Sequence, residues 1–367
     1  MPGDEREQRK RVKRIIQASI SIVIVVAIFA LILPKIASYS SVWKTISQLT
    51  WLEFLSLVLA MLFNLFTYWW QMVAAMPGLS FAQAAVNNQS STTIANILPG
   101  GGVVSIGVAY EMFRSWGFTG SEIALLLSTT GIWNAFLKLG LPVFALGLLA
   151  ISGKATTALL IPAVIGLAIL AGSVVVFALI LWKKAMARSI GELFGRAWSK
   201  VRALARKAPV SGWGQRAVEF RKQTIVLVSK RWAELTLSTI VSHLALYLVL
   251  LLALRHVGVS EKEISAVQVL SVFAFARLVS AAPLTPGGVG FVELALIGGL
   301  YAAGRNHADV PPDVFKAQIT GAALLYRVLT YGIQIPLGGF TYIIWQRAKR
   351  WRKPPPAEMV GVTAAAS

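Results

Sequence analysis

The sequence predicts an all-α polytopic membrane protein, and three observations lead there. Hydrophobic residues make up 56% of the 367-residue chain and charged residues only 14%, where a soluble domain carries about 25% charge. Several apolar runs reach the ~20 residues that a helix needs to cross a bilayer. Lysine and arginine are gathered in blocks, the pattern that orients membrane proteins. The net charge of +20 therefore reads as topology, and no base-reading motif accompanies it that would argue for a nucleic-acid partner.

The elements follow in order. Residues 1–14 hold six Lys and Arg and read as a cytoplasmic N-terminus. The run Ile15–Leu33 is too long for the apolar core of a signal peptide. Pro34-Lys35 closes it without a small-residue cleavage site, so it reads as a retained first helix. Further spans are Trp51–Met76, Glu122–Ile151, Thr157–Trp182, Ala233–Leu254 and Phe315–Trp345. Two hydrophobic regions of about 40 residues, Phe81–Phe118 and Ile264–Gly304, do not read as single spans. Each is cut near its middle by a Pro-Gly cluster, "LPGGG" at Leu98–Gly102 and "LTPGGVG" at Leu284–Gly290.

Charge placement sets the number of crossings. The segment Lys183–Arg231 holds thirteen Lys and Arg against two Glu, and the tail from Arg347 holds five. With the N-terminus these blocks contain 24 of the chain's 35 basic residues, whereas the segments 34–50, 255–263 and 305–316 hold two each. The positive-inside rule puts the three rich blocks in the cytoplasm. Region Phe81–Phe118 must then begin and end inside, and Ile264–Gly304 must begin and end outside. Half of such a region, ~15 to 18 residues, spans only ~23 to 27 Å as helix. That is short for a ~30 Å hydrocarbon core and favours re-entrant hairpins over double crossings.

Span, hairpin, span thus occurs twice in opposite senses. The expected plan is a transmembrane transporter domain over 15–346, with a first repeat at about 51–151 and a second at about 232–346. A basic cytoplasmic loop, 183–231, separates them, and a cytoplasmic tail, 347–367, closes the chain. Short echoes agree: "WLEF" opens one unit and "WAEL" the other, and Pro99 precedes Lys138 by 39 residues as Pro286 precedes Arg327 by 41. Inverted repeats with broken helices are the pattern of alternating-access transporters, with the site near the midplane.

At these residues the chain resembles a known family. "PLTPGGVGFVELA" is similar to the P-x-PGG-x-G-x-x-E signature of the lysylphosphatidylglycerol synthase transmembrane region, also described as flippase-like. "LLYRVLTYGIQIPLGG" (Leu324–Gly339) resembles the later tyrosine-arginine stretch of that family. "ILPGGGV" with Glu111 and Arg114 resembles an upstream element, more loosely, because glycine replaces the usual charge beside the proline. The resemblance covers about 50 to 350 and implies movement of lipids between leaflets. Some relatives add a soluble aminoacyl-transferase domain. This chain ends about 20 residues past its last span, so the synthase activity is not carried over. The implied setting is a bacterial-type cell (inner) membrane, multi-pass, with both termini cytoplasmic.

Glu293 is the sharpest candidate residue. It stands five residues after Gly288, deep in the membrane, where a carboxylate pairs, titrates or lines a wet cavity. It is a proton carrier or counter-charge, or else a structural ion pair locking its hairpin, with Arg277 and Arg327 as the expected partners. Arginine also offers a planar fork that suits phosphate, unless Arg277 snorkels to the surface and Arg327 simply pairs with Glu293. Pro286, Gly287, Gly288 and Gly290, and Pro99, Gly100, Gly101 and Gly102, form the two tips. Helix starts there present free N–H groups that can cradle an anionic head group, or the small residues serve tight packing alone. Lys138 mirrors Arg327 in the repeat. Glu111 and Arg114 can pair on one helix face near the cytoplasmic interface.

The basic loop contains an amphipathic stretch with Met186, Ile190, Leu193, Phe194, Ala197, Val201 and Leu204 at helical spacing. It reads as a helix on the anionic inner leaflet, or as topology enforcement alone. No cofactor is implied. The chain has no Cys, and its three His (His243, His256, His307) lack metal-ligand spacing, so no metal site is expected. His243 reads as a packed polar residue. No P-loop occurs, so the drive is a gradient or leaflet imbalance. The expected function is a lipid transporter for an anionic phospholipid or polyprenyl-phosphate-linked lipid, not an enzyme. A small-solute or ion transporter and a membrane-embedded lipid-modifying enzyme are the alternatives. Nothing decides between a monomer and a homo-oligomer.

Overall fold

The computed structural model describes Val23, Val26 and residues 28–98, 101–153, 157–204, 208–280 and 285–353. The N-terminal block, most of the first span, the tip residues Pro99 and Gly100 and the tail beyond Lys353 lie outside them. The described residues form helices and no strands, as expected for an all-α polytopic membrane protein. Past a short helical stretch at Ile28–Ile36 the helices are α1 (Tyr39–Ser47), α2 (Trp51–Ala75), α3 (Phe81–Ile97), α4 (Gly101–Ser115), α5 (Gly120–Ile151) and α6 (Thr157–Trp182). They continue as α7 (Lys184–Leu204), α8 (Trp213–His256), α9 (Ala266–Val279), α10 (Phe291–Gly304), α11 (Pro312–Arg327) and α12 (Gln334–Arg347). Among the described residues five helical segments are long and apolar enough to cross a membrane.

Local sequence sets the helix starts. Thr50-x-x-Glu53, Ser80-x-x-Gln83, Thr119-x-x-Glu122 and Ser265-x-x-Gln268 are capping boxes at the heads of α2, α3, α5 and α9. In each the hydroxyl accepts from the backbone N–H three residues on, and the Glu or Gln accepts from the cap's N–H. The broken regions become the helix pairs α3–α4 and α9–α10. Their arms of 17, 15, 14 and 14 residues are ~25, 22, 21 and 21 Å long.

Packing explains where polar residues are allowed. Helix α8 lies along α2, joined by Asn64 Nδ2 donating to the Ser242 carbonyl (2.9 Å) and by Gln71 donating to Thr239. Asn134 Nδ2 of α5 donates to Gln71 Oε1 (3.2 Å), so three helices share one polar seam. Helix α3 packs on α12 and α9 packs on α5. The α3–α12 approach depends on Gly338, where a Cβ would stand 1.9 Å from Thr93 Oγ1. That hydroxyl donates instead to the Gln334 carbonyl at 2.8 Å. Helix α6 is peripheral, and no residue from Val164 to Trp182 is buried.

Two expected spans lie within longer helical stretches. The span expected at Ala233–Leu254 is the second half of α8, which begins at Trp213 and runs 44 residues. No Gly or Pro after Gly214 interrupts it, so among the described residues the basic segment 183–231 holds α7, where an amphipathic helix was expected, and the start of α8. Its packed seam is the small-residue series Ala187, Gly191 and Gly195 against Trp213 and Ala217, which leaves Leu193, Phe194 and Trp198 exposed. The span expected at Phe315–Trp345 divides into α11 and α12 at a π turn, Val328–Gly332. Pro336 lacks the N–H that would return to the Gly332 carbonyl, and the helix opens there.

Candidate functional site

The second Pro-Gly cluster makes a tight turn. Gly287, Gly288 and Gly290 adopt φ of +59°, +68° and +89°, which disfavour any side chain. At Gly287 the space is also taken, since a Cβ would stand 2.0 Å from the Tyr331 ring. Pro286 opens the turn, and its carbonyl accepts from the Val289 N–H at 3.2 Å. Gly101 at the head of α4 is similarly excluded from carrying a side chain, its Cβ position lying 2.4 Å from the Ile94 carbonyl oxygen. Gly102 has open space around it.

Glu293 sits in the first turn of α10 with only 2% of its surface exposed. Its Oε2 accepts from the Gly290 N–H at 2.7 Å, and its Oε1 accepts from Arg327 Nε at 2.8 Å. Arg327 also donates from Nη2 to the Gly287 carbonyl (3.0 Å) and stacks its guanidinium on Tyr331, 4.6 Å from the ring centroid. The Tyr331 hydroxyl donates to the Asn96 carbonyl at 2.8 Å and lies 3.4 Å from the Pro286 carbonyl. Asn96 is in the last turn of α3, so one tyrosine joins the end of α3 to the second glycine turn. Of the two expected partners, the structure brings Arg327 to Glu293 and keeps Arg277 apart.

Arg277 points elsewhere. Two cavities of about 310 and 360 Å³, each with a mixed polar and apolar lining, share four lining residues, Tyr68, Asn88, Lys138 and Arg277. The first cavity extends to the second tip and is lined by Asn96, Ser280, Gly287, Arg327, Thr330, Tyr331 and Gln334. The other extends toward Gln71, Asn87, Ser91, Ser105 and Asn134. Arg277 Nε is buried and has no hydrogen-bond partner. No carboxylate of the described residues lies within ion-pair distance of Lys138 or Arg277. Nor does any described carboxylate line either cavity. The arrangement sets two cations, without a described carboxylate beside them, among amide and hydroxyl groups.

Glu111 and Arg114 line neither cavity. Glu111 is exposed, and Arg114 donates to the Phe118 carbonyl at 3.3 Å. His243 stands behind the lining, with Nδ1 3.1 Å from the Thr239 carbonyl. Among the described residues no three His, Cys, Asp or Glu gather as a metal site would need. Sequence reasoning did not single out Tyr331, Tyr68 or Asn88. A signal for the last was present: Asn87 to Thr93 are seven consecutive uncharged polar residues inside a membrane helix.

The profile of the family described as Lysylphosphatidylglycerol synthase TM region matches residues 18–338. The chain belongs to this family. No curated protein matches the chain. Family membership and the apolar helices make it a multi-pass membrane protein. The matched region includes both helix pairs, the Glu293–Arg327 pair and the Lys138 and Arg277 cavity, so the site lies within the family's membrane region.

Proposed function

We propose that this family member moves a lipid with an anionic head group between leaflets by alternating access, and that it performs no covalent chemistry. The observation that carries the reading is the open cation pair. Lys138 and Arg277 face a polar cavity inside a membrane protein, with no described carboxylate to neutralise them. Cations left in such a place are costly unless water or an anionic ligand meets them. The hydroxyl and amide lining provides neutral partners for the rest of a head group, and no described carboxylate lines either cavity.

The transport mechanism rests on an inverted repeat, in which α2, α3–α4 and α5 correspond to the outer half of α8, α9–α10 and α11–α12. Three features support it. Helices α2 and α8 pack on each other, as paired first spans would. The first arm of each hairpin packs on the last span of the other unit, α3 on α12 and α9 on α5. Both first arms open on a Ser-x-x-Gln capping box. The short arms favour re-entrant hairpins. By charge placement the basic helical pair and both termini face the cytoplasm of a bacterial-type cell membrane. A mostly apolar groove of about 1130 Å³ runs there between α5, α6, α7 and α8, with Arg216, Glu219 and Arg221 among its lining, and suits contact with lipid of the inner leaflet.

Reconstitution in liposomes tests the reading. The wild-type chain accelerates leaflet exchange of a labelled anionic lipid over empty liposomes, while well-folded Lys138→Ala and Arg277→Ala forms lose most of that rate. No acceleration for any lipid class rejects transport of lipid, and unaltered rates in both variants reject the site.

A further inference from the structure

The charge count of the cavity narrows the head group. Four basic side chains stand in or behind the lining, and they are not equivalent. Arg327 is neutralised by Glu293 at 2.8 Å. His243 is buried, with Nδ1 3.1 Å from the Thr239 carbonyl, and it lines neither cavity. Lys138 and Arg277 remain, on α5 and α9, and line both cavities. Among the described residues the site therefore has two positive charges without a carboxylate partner, where two chambers join.

We infer that the site selects a head group with two negative charges on one phosphate or two linked phosphates, that is, a phosphomonoester or diphosphate lipid. A phosphodiester such as phosphatidylglycerol has one charge and leaves one cation of the pair unmet. A phosphomonoester carries about −1.5 to −2 at neutral pH and meets both. Arginine provides the planar fork for two phosphate oxygens and lysine a point charge for the third. The chambers on either side offer amide and hydroxyl groups from Asn88, Asn96, Asn134, Thr330 and Gln334 to a neutral, hydroxyl-bearing portion of the head group. This inference rests on the lipid-transport reading and adds the class of lipid.

Binding to the full-length chain in detergent micelles tests it with four probes: dioctanoyl phosphatidic acid, farnesyl monophosphate, dioctanoyl phosphatidylglycerol and inorganic phosphate. The two lipid phosphomonoesters are expected to bind at least about tenfold tighter than phosphatidylglycerol, about 1.4 kcal/mol. Inorganic phosphate should compete weakly. Lys138→Gln and Arg277→Gln should each bring the monoester-to-diester ratio near one while retaining phosphatidylglycerol binding, and Lys138→Arg should keep the wild-type ratio. Equal wild-type affinity for monoester and diester overturns the dianion assignment but leaves lipid transport standing. So does an unaltered ratio in whichever glutamine variant keeps a wild-type thermal transition. Inorganic phosphate binding as tightly as phosphatidic acid assigns the site to a soluble anion and overturns the lipid class. No binding of any lipid probe overturns both readings.

Discussion

Glu293 and Arg327 hold each other at 2.8 Å, with both Glu293 oxygens accepting and Arg327 also donating to the Gly287 carbonyl, whereas Lys138 and Arg277 have no carboxylate partner among the described residues. Both sets lie in the same core, and Arg327 lines the same cavity as the open pair. The satisfied pair stitches α10, α11 and the glycine turn into one unit. A charge so occupied has little left for a ligand, since recruiting it would strand its partner in a buried site. The open pair makes no ion pair and no side-chain hydrogen bond among the described residues, so its charge is left to offer. Deep charge in a membrane protein is thus of two kinds, and hydrogen-bond satisfaction separates them better than depth does.

The largest expected effect attacks the satisfied pair. Arg327→Met leaves Glu293 buried without a counter-charge and should cost about 3–5 kcal/mol of stability, read as a lowered unfolding midpoint in micelles. Adding Glu293→Gln should recover part of that loss. A change below about 1 kcal/mol would mean that the pair does not hold the hairpin, and the contrast would collapse. Gly287→Ala comes next. It forces a Cβ into the Tyr331 ring and an unfavourable φ of +59°, for roughly 1–3 kcal/mol. Tyr331→Ala in the same chain should relieve the steric portion and leave the backbone portion.

Much of this was legible in the sequence because hydrophobic length, helix breakers and Lys/Arg placement are local signals. The two Pro-Gly clusters marked the broken regions, and the matched family covers both. The choice between Arg277 and Arg327 as partner for Glu293 was not legible. It depends on how α9 is rotated about its axis and where α11 crosses α10, which are properties of packing. The 44-residue length of α8 was missed because hydropathy marks where a span enters apolar surroundings, and a helix of good formers continues past that point. Tyr331 was missed because its role depends on a π turn that brings a side chain of the last span between the end of α3 and the second glycine turn, which are distant in sequence.

Tyr331→Phe sharpens the contrast at smaller scale. It keeps the ring under Arg327 and removes the hydroxyl that reaches the Asn96 carbonyl, so a loss of about 1 kcal/mol is expected. If the two tips part during transport, the same change should alter exchange rate more than stability. No effect on either would leave the ring, not the hydroxyl, as the useful part of the residue.

The smallest expected stability effect belongs to the open pair, and it discriminates most. Lys138→Met removes an unpaired cation and inserts an apolar chain of similar length. No hydrogen bond or ion pair of Lys138 is lost, so the unfolding midpoint should stay within about 0.5 kcal/mol of wild type or rise. Anionic-lipid exchange in liposomes should nevertheless fall at least about tenfold, because the head group loses half of its counter-charge. The two readouts must separate: stability retained and transport lost. If Lys138→Met unfolds as readily as Arg327→Met, Lys138 is structural too, and the division between satisfied and open charge does not hold. If stability and transport both survive, the cavity charge is not what the lipid meets.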